Sequence, residues 1–155
     1  IPFSSTRDLN AKLQEFWPSN TILIMAAAVA DFTPRGGQIH GKLSRNAPLS
    51  IEFSSTEDIV ASLANQARDD QRVLAFALEE RDQLEDNAKA KLFRKNVTAI
   101  VANPLETMDG DTIEAQVFCK NETCISPDGI LSKPEFAKWL IENLDTILST
   151  TTCDV

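Results

Sequence analysis

The sequence is short of histidine, of cysteine and of positive charge. The single histidine in 155 residues, His40, stands alone in a glycine-containing loop, which makes a Ser/His/Asp relay implausible and solvation its ordinary state. Three cysteines, Cys119, Cys124 and Cys153, show with it none of the paired ligand spacing of a structural zinc motif, and free thiols are the expected state. Their odd number, with no basic segment leading into an apolar stretch at the start, favours reduced thiols in a cytoplasm over a disulfide framework. In that compartment the sequon Asn121-Glu122-Thr123 carries no message. Fifteen Lys and Arg against 23 Asp and Glu give a net charge of −8, which argues against a general nucleic-acid surface. The longest apolar run, Ile22 to Ala30, falls well short of the roughly 18 residues a membrane-spanning helix needs. Glycine-rich phosphate loops of the GxxxxGK[ST] and GxGxxG types are missing as well.

What is present is an alternation of helix-period and strand-like segments. The chain starts at Ile1 rather than Met, as a processed or excised fragment would. Ser4-Ser5-Thr6 caps an amphipathic helix with Leu9, Leu13 and Phe16 on one face. Thr21 to Ala30 has the continuous apolar character of a strand buried on both faces. A loop with Pro34, Gly36, Gly37 and Gly41 follows, then an alternating segment, Leu49 to Phe53, expected as a half-exposed strand. Ser55 to Asp69 predicts a second helix, Val73 to Leu78 a buried strand, Gln83 to Lys95 a third helix and Thr98 to Asn103 a third buried strand. Glu114 to Cys119 and Cys124 to Ser126 suit an antiparallel hairpin. Pro134 to Leu148 predicts a final amphipathic helix with Phe136, Leu140, Ile141, Leu144 and Ile147 inward.

The fold class expected is α/β: a mainly parallel, Rossmann-like sheet flanked by helices, with a C-terminal antiparallel hairpin and a final helix. Residues 1–149 form a single domain on this reading, and 150–155 a frayed tail. Ligands of such sheets sit beyond the carboxyl ends of the strands. That rule selects Asp31 with its following loop, Glu79-Glu80, and Asn103-Pro104.

Three constellations could carry chemistry. Met25-Ala26-Ala27-Ala28-Val29-Ala30-Asp31 ends a strand in small residues, which would let a ligand approach exposed backbone N–H groups; tight helix-on-sheet packing is the alternative. Lys42, with Arg35 and Arg45 near it in a glycine-containing loop, could close over a phosphate or be a solvated surface cation. Lys91 and Lys95 stand one turn apart beside Ala88, a low wall next to two charges that suits a triphosphate. The alternative is that basic residues late in a helix simply complement its dipole. Phe76, mid-strand, is either core or a base-stacking platform.

Taken in order, Ala26-Ala27-Ala28-Val29-Ala30-Asp31-Phe32, Gly41-Lys42-Leu43, Asp58-Ile59-Val60, Ala75-Phe76-Ala77-Leu78-Glu79, Ala88 to Asn96 and Ile100-Val101-Ala102-Asn103 form a series that resembles the C-terminal part of the phosphopantothenoylcysteine synthetase family, from Ile1 to about Cys119. The resemblance implies a phosphopantothenate–cysteine ligase of coenzyme A biosynthesis, in which a nucleoside triphosphate (CTP favoured, ATP the alternative), accompanied by Mg2+, activates 4′-phosphopantothenate for attack by cysteine; a nucleotide-binding relative or partner subunit without catalysis is the second reading. It implies nucleotide contacts at Ala27, Ala28, Asp31, Phe76, Lys91 and Lys95, a catalytic loop lysine at Lys42, a substrate or intermediate contact at Asn103, and a homodimer with the Leu49 to Phe53 stretch as its candidate interface. Four departures stand against the family pattern. The N-terminal glycine-rich loop and an Asn-containing Ser-Ser-Gly motif have no counterpart in these residues. The basic loop is thinned to Gly41-Lys42-Leu43-Ser44-Arg45, Ser55-Thr56-Glu57-Asp58 replaces the usual Asn-Pro-Asp, and Ala75 stands where glycine is usual.

Overall fold

The computed structural model describes residues 1–36 and 49–149. Helix α1 (Thr6–Phe16) leads into strand β1 (Ile22–Met25); strands β2 (Phe32–Pro34) and β3 (Phe53–Ser55) follow, then helix α2 (Ile59–Asn65) and strand β4 (Arg72–Glu79). Helix α3 (Leu84–Arg94), strand β5 (Ala99–Pro104) and four short strands, β6 (Thr112–Ile113), β7 (Gln116–Cys119), β8 (Cys124–Ile125) and β9 (Leu131–Ser132), precede the terminal helices α4 (Lys133–Glu142) and α5 (Leu144–Ile147).

The main sheet has the order β1-β4-β5-β7-β8. Its core is parallel, with Met25 opposite Ala75 and Leu74 opposite Ala99. The pairs β5–β7 and β7–β8 are antiparallel, with Ile100 opposite Phe118 and Phe118 opposite Cys124. Two-residue periodicity splits the side chains into two layers. Met25, Ala75, Ala77, Ile100 and Ala102 face α1, α2 and α3, where Leu9, Leu63, Ala88 and Leu92 close one core. Leu74, Ala99, Val101 and Val117 face the other way, onto Phe136, Leu140 and Ile147 of the terminal helices. The α/β class, the parallel core and the hairpin that Cys119 and Cys124 flank are therefore as the sequence implied.

The helix ends follow from identifiable side chains. Ser5 caps α1 by accepting from the Asp8 N–H, and Ser132 and Glu135 form a reciprocal capping box on α4. Helix α3 stops at Asn96, whose φ of 55° places it in the left-handed region. Asn96 N–H donates to the Phe93 carbonyl and Val97 N–H to that of Leu92, while the Val97 and Leu92 side chains meet in the core, the arrangement of a Schellman cap.

Several expectations are corrected. The run Thr21 to Ala30 is not one strand buried on both faces: β1 ends at Met25, it lies at a sheet edge, and Ala26, Ala27, Ala28 and Ala30 are exposed. Phe16 is exposed and the next residue, Trp17, is buried in its place, anchored by its Nε1–H donating to the Leu63 carbonyl. Helix α2 starts at Ile59, not Ser55, because Phe53–Ser55 pairs with Phe32–Pro34 as a small antiparallel ladder, and Asp58 rather than Ser55 is the cap. The terminal helix breaks at Asn143, and Ile141 faces solvent. Strands β6 and β9, which pair with each other, were too short to register as a period.

Candidate functional site

The chain leaves the sheet at Met25, which pairs with Ala75 midway along β4, and the next six residues run on without strand pairing. Thr56 fixes this stretch to the small ladder: its N–H donates to the Asp31 carbonyl at 2.8 Å and its hydroxyl to the Ala30 carbonyl at 2.7 Å. A cleft opens beneath, lined by Met25, Ala27, Val29, Asp31, Thr56 to Val60, Ala75, Phe76 and Lys95. Its volume of about 170 Å³ is below the roughly 300–1,000 Å³ of pockets that enclose a whole small ligand, so it accommodates part of a nucleotide rather than all of it.

Asp58 organises the back of this cleft. One carboxylate oxygen accepts from the Ala61 N–H at 3.1 Å and caps α2, while the other receives the Lys95 ammonium at 2.6 Å. The carboxylate thereby ties the start of α2 to the end of α3. Burial alone would raise its pKa, but the Lys95 bond, the Ala61 N–H and the charges of Lys95 and Arg94 together outweigh burial and hold it below the usual 3.8. A depressed carboxylate contributes stability above its unfolded pKa and loses it as pH falls through the folded one. Asp58→Asn keeps a competent cap but loses the ion pair. Because the Asp58 side chain is 42% exposed, the expected cost at neutral pH is only about 0.5–1 kcal/mol. Thermal unfolding of both proteins should show that difference shrinking away as pH falls below about 4.

Lys91, one turn earlier, makes a different pair. Its ammonium lies 2.5 Å from a carboxylate oxygen of Glu79, whose side chain is only 6% exposed. The approach lies outside hydrogen-bonding angles, so that oxygen has a Coulombic partner and no directed donor.

Of the residues singled out from the sequence, Ala27, Asp31, Phe76 and Lys95 meet at the cleft. Phe76 reaches it only at the rim, since its ring packs on the core beneath α4. Ala28 is exposed on the unpaired stretch, and Lys91 stands beyond the lining on the same helix. Asn103 is buried, and its Nδ2 donates to the Thr107 hydroxyl at 2.7 Å. It lines not this cleft but an apolar groove on the α4 side, with Ile24, Leu78, Phe136 and Leu140. Lys42, Arg45 and His40 lie outside the described residues. Thr56 as a clamp and Asp58 as a double anchor were not assigned from the sequence; the one available signal was Asp58 directly before an apolar helix, a capping pattern.

The sequence matches the family described as the DNA/pantothenate metabolism flavoprotein C-terminal domain over residues 1–148. It is 31% identical, over 125 residues, to the coenzyme A biosynthesis bifunctional protein CoaBC of Bacillus subtilis (strain 168), covering 78% of this chain and 30% of that protein. It is 41% identical over 106 residues to a cysteine/cysteine sulfinic acid decarboxylase from an unknown prokaryotic organism, covering 68% of this chain and 29% of that protein. The chain thus spans about 30% of the length of these curated relatives. Among solved structures, the C-terminal domain of a CoaBC protein superposes with a TM-score of 0.73 at 26% identity, over 96% of this chain and 65% of that one. The Cab2 mutant H337A complex with phosphopantothenate-cysteine shares the fold, with a TM-score of 0.73 at 17% identity, over 96% of this chain and 53% of that one. The order of motifs, the parallel core and these matches agree: the chain belongs to the DNA/pantothenate metabolism flavoprotein C-terminal domain family and corresponds to the C-terminal part of the phosphopantothenoylcysteine synthetases.

Proposed function

We propose that this chain forms the nucleotide-binding face of a phosphopantothenate–cysteine ligase of coenzyme A biosynthesis, with CTP favoured over ATP. The observation that carries the reading is the convergence of Ala27, Asp31 and the Asp58–Lys95 pair on one cleft beyond the carboxyl end of β1, beside Ala75 and Phe76 of β4, in a chain of this family. A carboxylate oxygen is a poor leaving group, so amide formation requires activation. The 4′-phosphopantothenate carboxylate attacks the α-phosphorus, the bond to the β-phosphate oxygen breaks and pyrophosphate departs. The cysteine amine then attacks the acyl carbon, CMP leaves and the amine gives up a proton. In this scheme the protein positions groups and balances charge. The exposed backbone at Ala27 and Ala28 and the Asp31 carboxylate border the nucleoside, Phe76 walls the rim, Lys91 and Lys95 take the triphosphate, and Lys42 closes on the reacting phosphate. Asn103, held by Thr107, is the substrate or intermediate contact of this scheme only if the acyl portion reaches over the sheet edge into the apolar groove that Asn103 borders.

Among the described residues no group of three or more His, Cys, Asp or Glu is placed to hold a metal, which does not fit a resident ion; Mg2+ accompanies the triphosphate as part of the co-substrate. No helix among the described residues is long and apolar enough to cross a membrane, and a cytoplasmic setting suits the reaction. The small ladder exposes Phe32 and Phe53, at 63% and 57%, with Leu49 and Ile51 beside them. Apolar surface so concentrated marks an interaction face, here the homodimer interface.

The test is to incubate the protein with Mg2+, 4′-phosphopantothenate and CTP or ATP, omitting cysteine so that the intermediate accumulates, and to analyse the mixture by mass spectrometry. Phosphopantothenoyl-CMP is the expected product. Nucleotide binding with neither acyl-nucleotide nor pyrophosphate formed, by this chain and again with the family's N-terminal part restored, overturns the ligase reading in favour of a non-catalytic relative.

A further inference from the structure

Glu79 closes β4 at the carboxyl edge of the sheet with a side chain 6% exposed, and one of its oxygens has no directed hydrogen bond. Among the described residues Lys91 is its only cation, at 2.5 Å. The neighbouring Arg81 is engaged elsewhere, with Glu114 at 3.0 Å and Glu106 at 3.8 Å. A buried carboxylate cannot exchange its partner for water, and withdrawing the one cation beside it leaves an uncompensated charge in a poorly solvated place. The Lys91 side chain, in contrast, is one-third exposed. It is one turn from Lys95 on the same helix, which is itself held by a carboxylate from another element.

We propose that Glu79 is a resident anion that competes with the phosphates of a bound nucleotide for Lys91, so that the cradle yields Lys91 to a polyphosphate and reclaims it when the polyphosphate leaves. The proposal rests on the reading that Lys91 meets the triphosphate. A triphosphate carries enough charge to share the ammonium with Glu79, whereas a monophosphate does not. Glu79 thereby lowers the affinity for every phosphate ligand at Lys91, most of all for the least charged, and favours release of what remains after the chain is cut. It is a positioning residue: it acts on the ligand through Lys91.

The experiment is calorimetric titration with Mg2+–CTP, inorganic pyrophosphate and cytidine on wild type, Glu79→Gln, Lys91→Gln and the doubly neutral Glu79→Gln/Lys91→Gln. Glu79→Gln should bind CTP and pyrophosphate more tightly by about tenfold, the scale of one charge-assisted contact, and cytidine unchanged. In the doubly neutral protein, which leaves no buried charge behind, the gain should vanish and CTP should bind more weakly than to wild type. Should Glu79→Gln lower only the melting temperature and leave both phosphate ligands unaffected, the pair is structural and the proposal fails. A tenfold gain that persists without Lys91 also overturns it, as a field effect independent of that lysine. Wild-type CTP affinity in the doubly neutral protein instead removes Lys91 from the nucleotide site, and with it the reading on which the proposal rests.

Discussion

Replacing Lys91 and Lys95 together by glutamine should weaken CTP binding by about 100-fold while leaving cytidine binding nearly unchanged, the loss expected for two charge-assisted phosphate contacts of roughly tenfold each. Lys91 near the end of α3 is held by Glu79, and Lys95, which caps that helix, is held by Asp58. A triphosphate arriving there meets in Lys95 an ammonium whose side-chain freedom has largely been removed, and draws Lys91 from Glu79. The protein as a whole is acidic, at −8, and supplies no general attraction for an anion; local cations must provide it. Neutralising Lys91 leaves Glu79 buried without a counter-charge, so the comparison is made with thermal unfolding alongside, and Glu79→Gln is added if the midpoint falls. Equal losses for CTP and cytidine would place the effect in the fold of the cleft rather than in phosphate recognition.

The central strands were legible because they are central. Val73, Leu74 and Ala75, and Ala99 to Ala102, are buried on both faces, and a continuous apolar run is the signature of that position. The same signature misled at Thr21 to Ala30. There the small residues serve an exposed backbone stretch, and nothing in an alanine run distinguishes close packing from open backbone. The ladder of β2 and β3 could not be read locally, since Phe32–Pro34 becomes a strand only by pairing with a segment some twenty residues away. The start of α2 was misplaced for the same reason: Ser55, an adequate cap in isolation, is taken by that ladder, and Asp58 inherits the position. Around the cleft, the order of motifs nominated residues but not their partners. That Lys95 meets Asp58 and Lys91 meets Glu79 follows from where β4 ends against α3, a packing fact with no counterpart in sequence spacing. Asn103 was placed correctly at a strand end, yet its amide is bound to Thr107 and borders the apolar groove on the other side of the sheet.

The second large effect is on stability. Leu63→Ala should cost about 3 kcal/mol, the middle of the range for a buried leucine that leaves a cavity. In a domain of this length that lowers the melting temperature by about 10 °C. Leu63 is fully buried, and it anchors a helix of only seven residues that has too few turns to be stable by itself. Ile59 and Ala64 are its other buried contacts with the core. Because α2 carries Asp58 at its start, loosening it also loosens Lys95. Below the melting transition, then, CTP affinity should fall modestly along with stability, whereas substitution at Leu78, which is 37% exposed and remote from α2, should cost less than about 1 kcal/mol and leave binding alone. Calorimetric melting with parallel CTP titration separates the two. A Leu63→Ala protein that melts like the wild type would show that the core under α2 can collapse around the missing side chain, and that α2 is held mainly by the Asp58 cap rather than by its buried face.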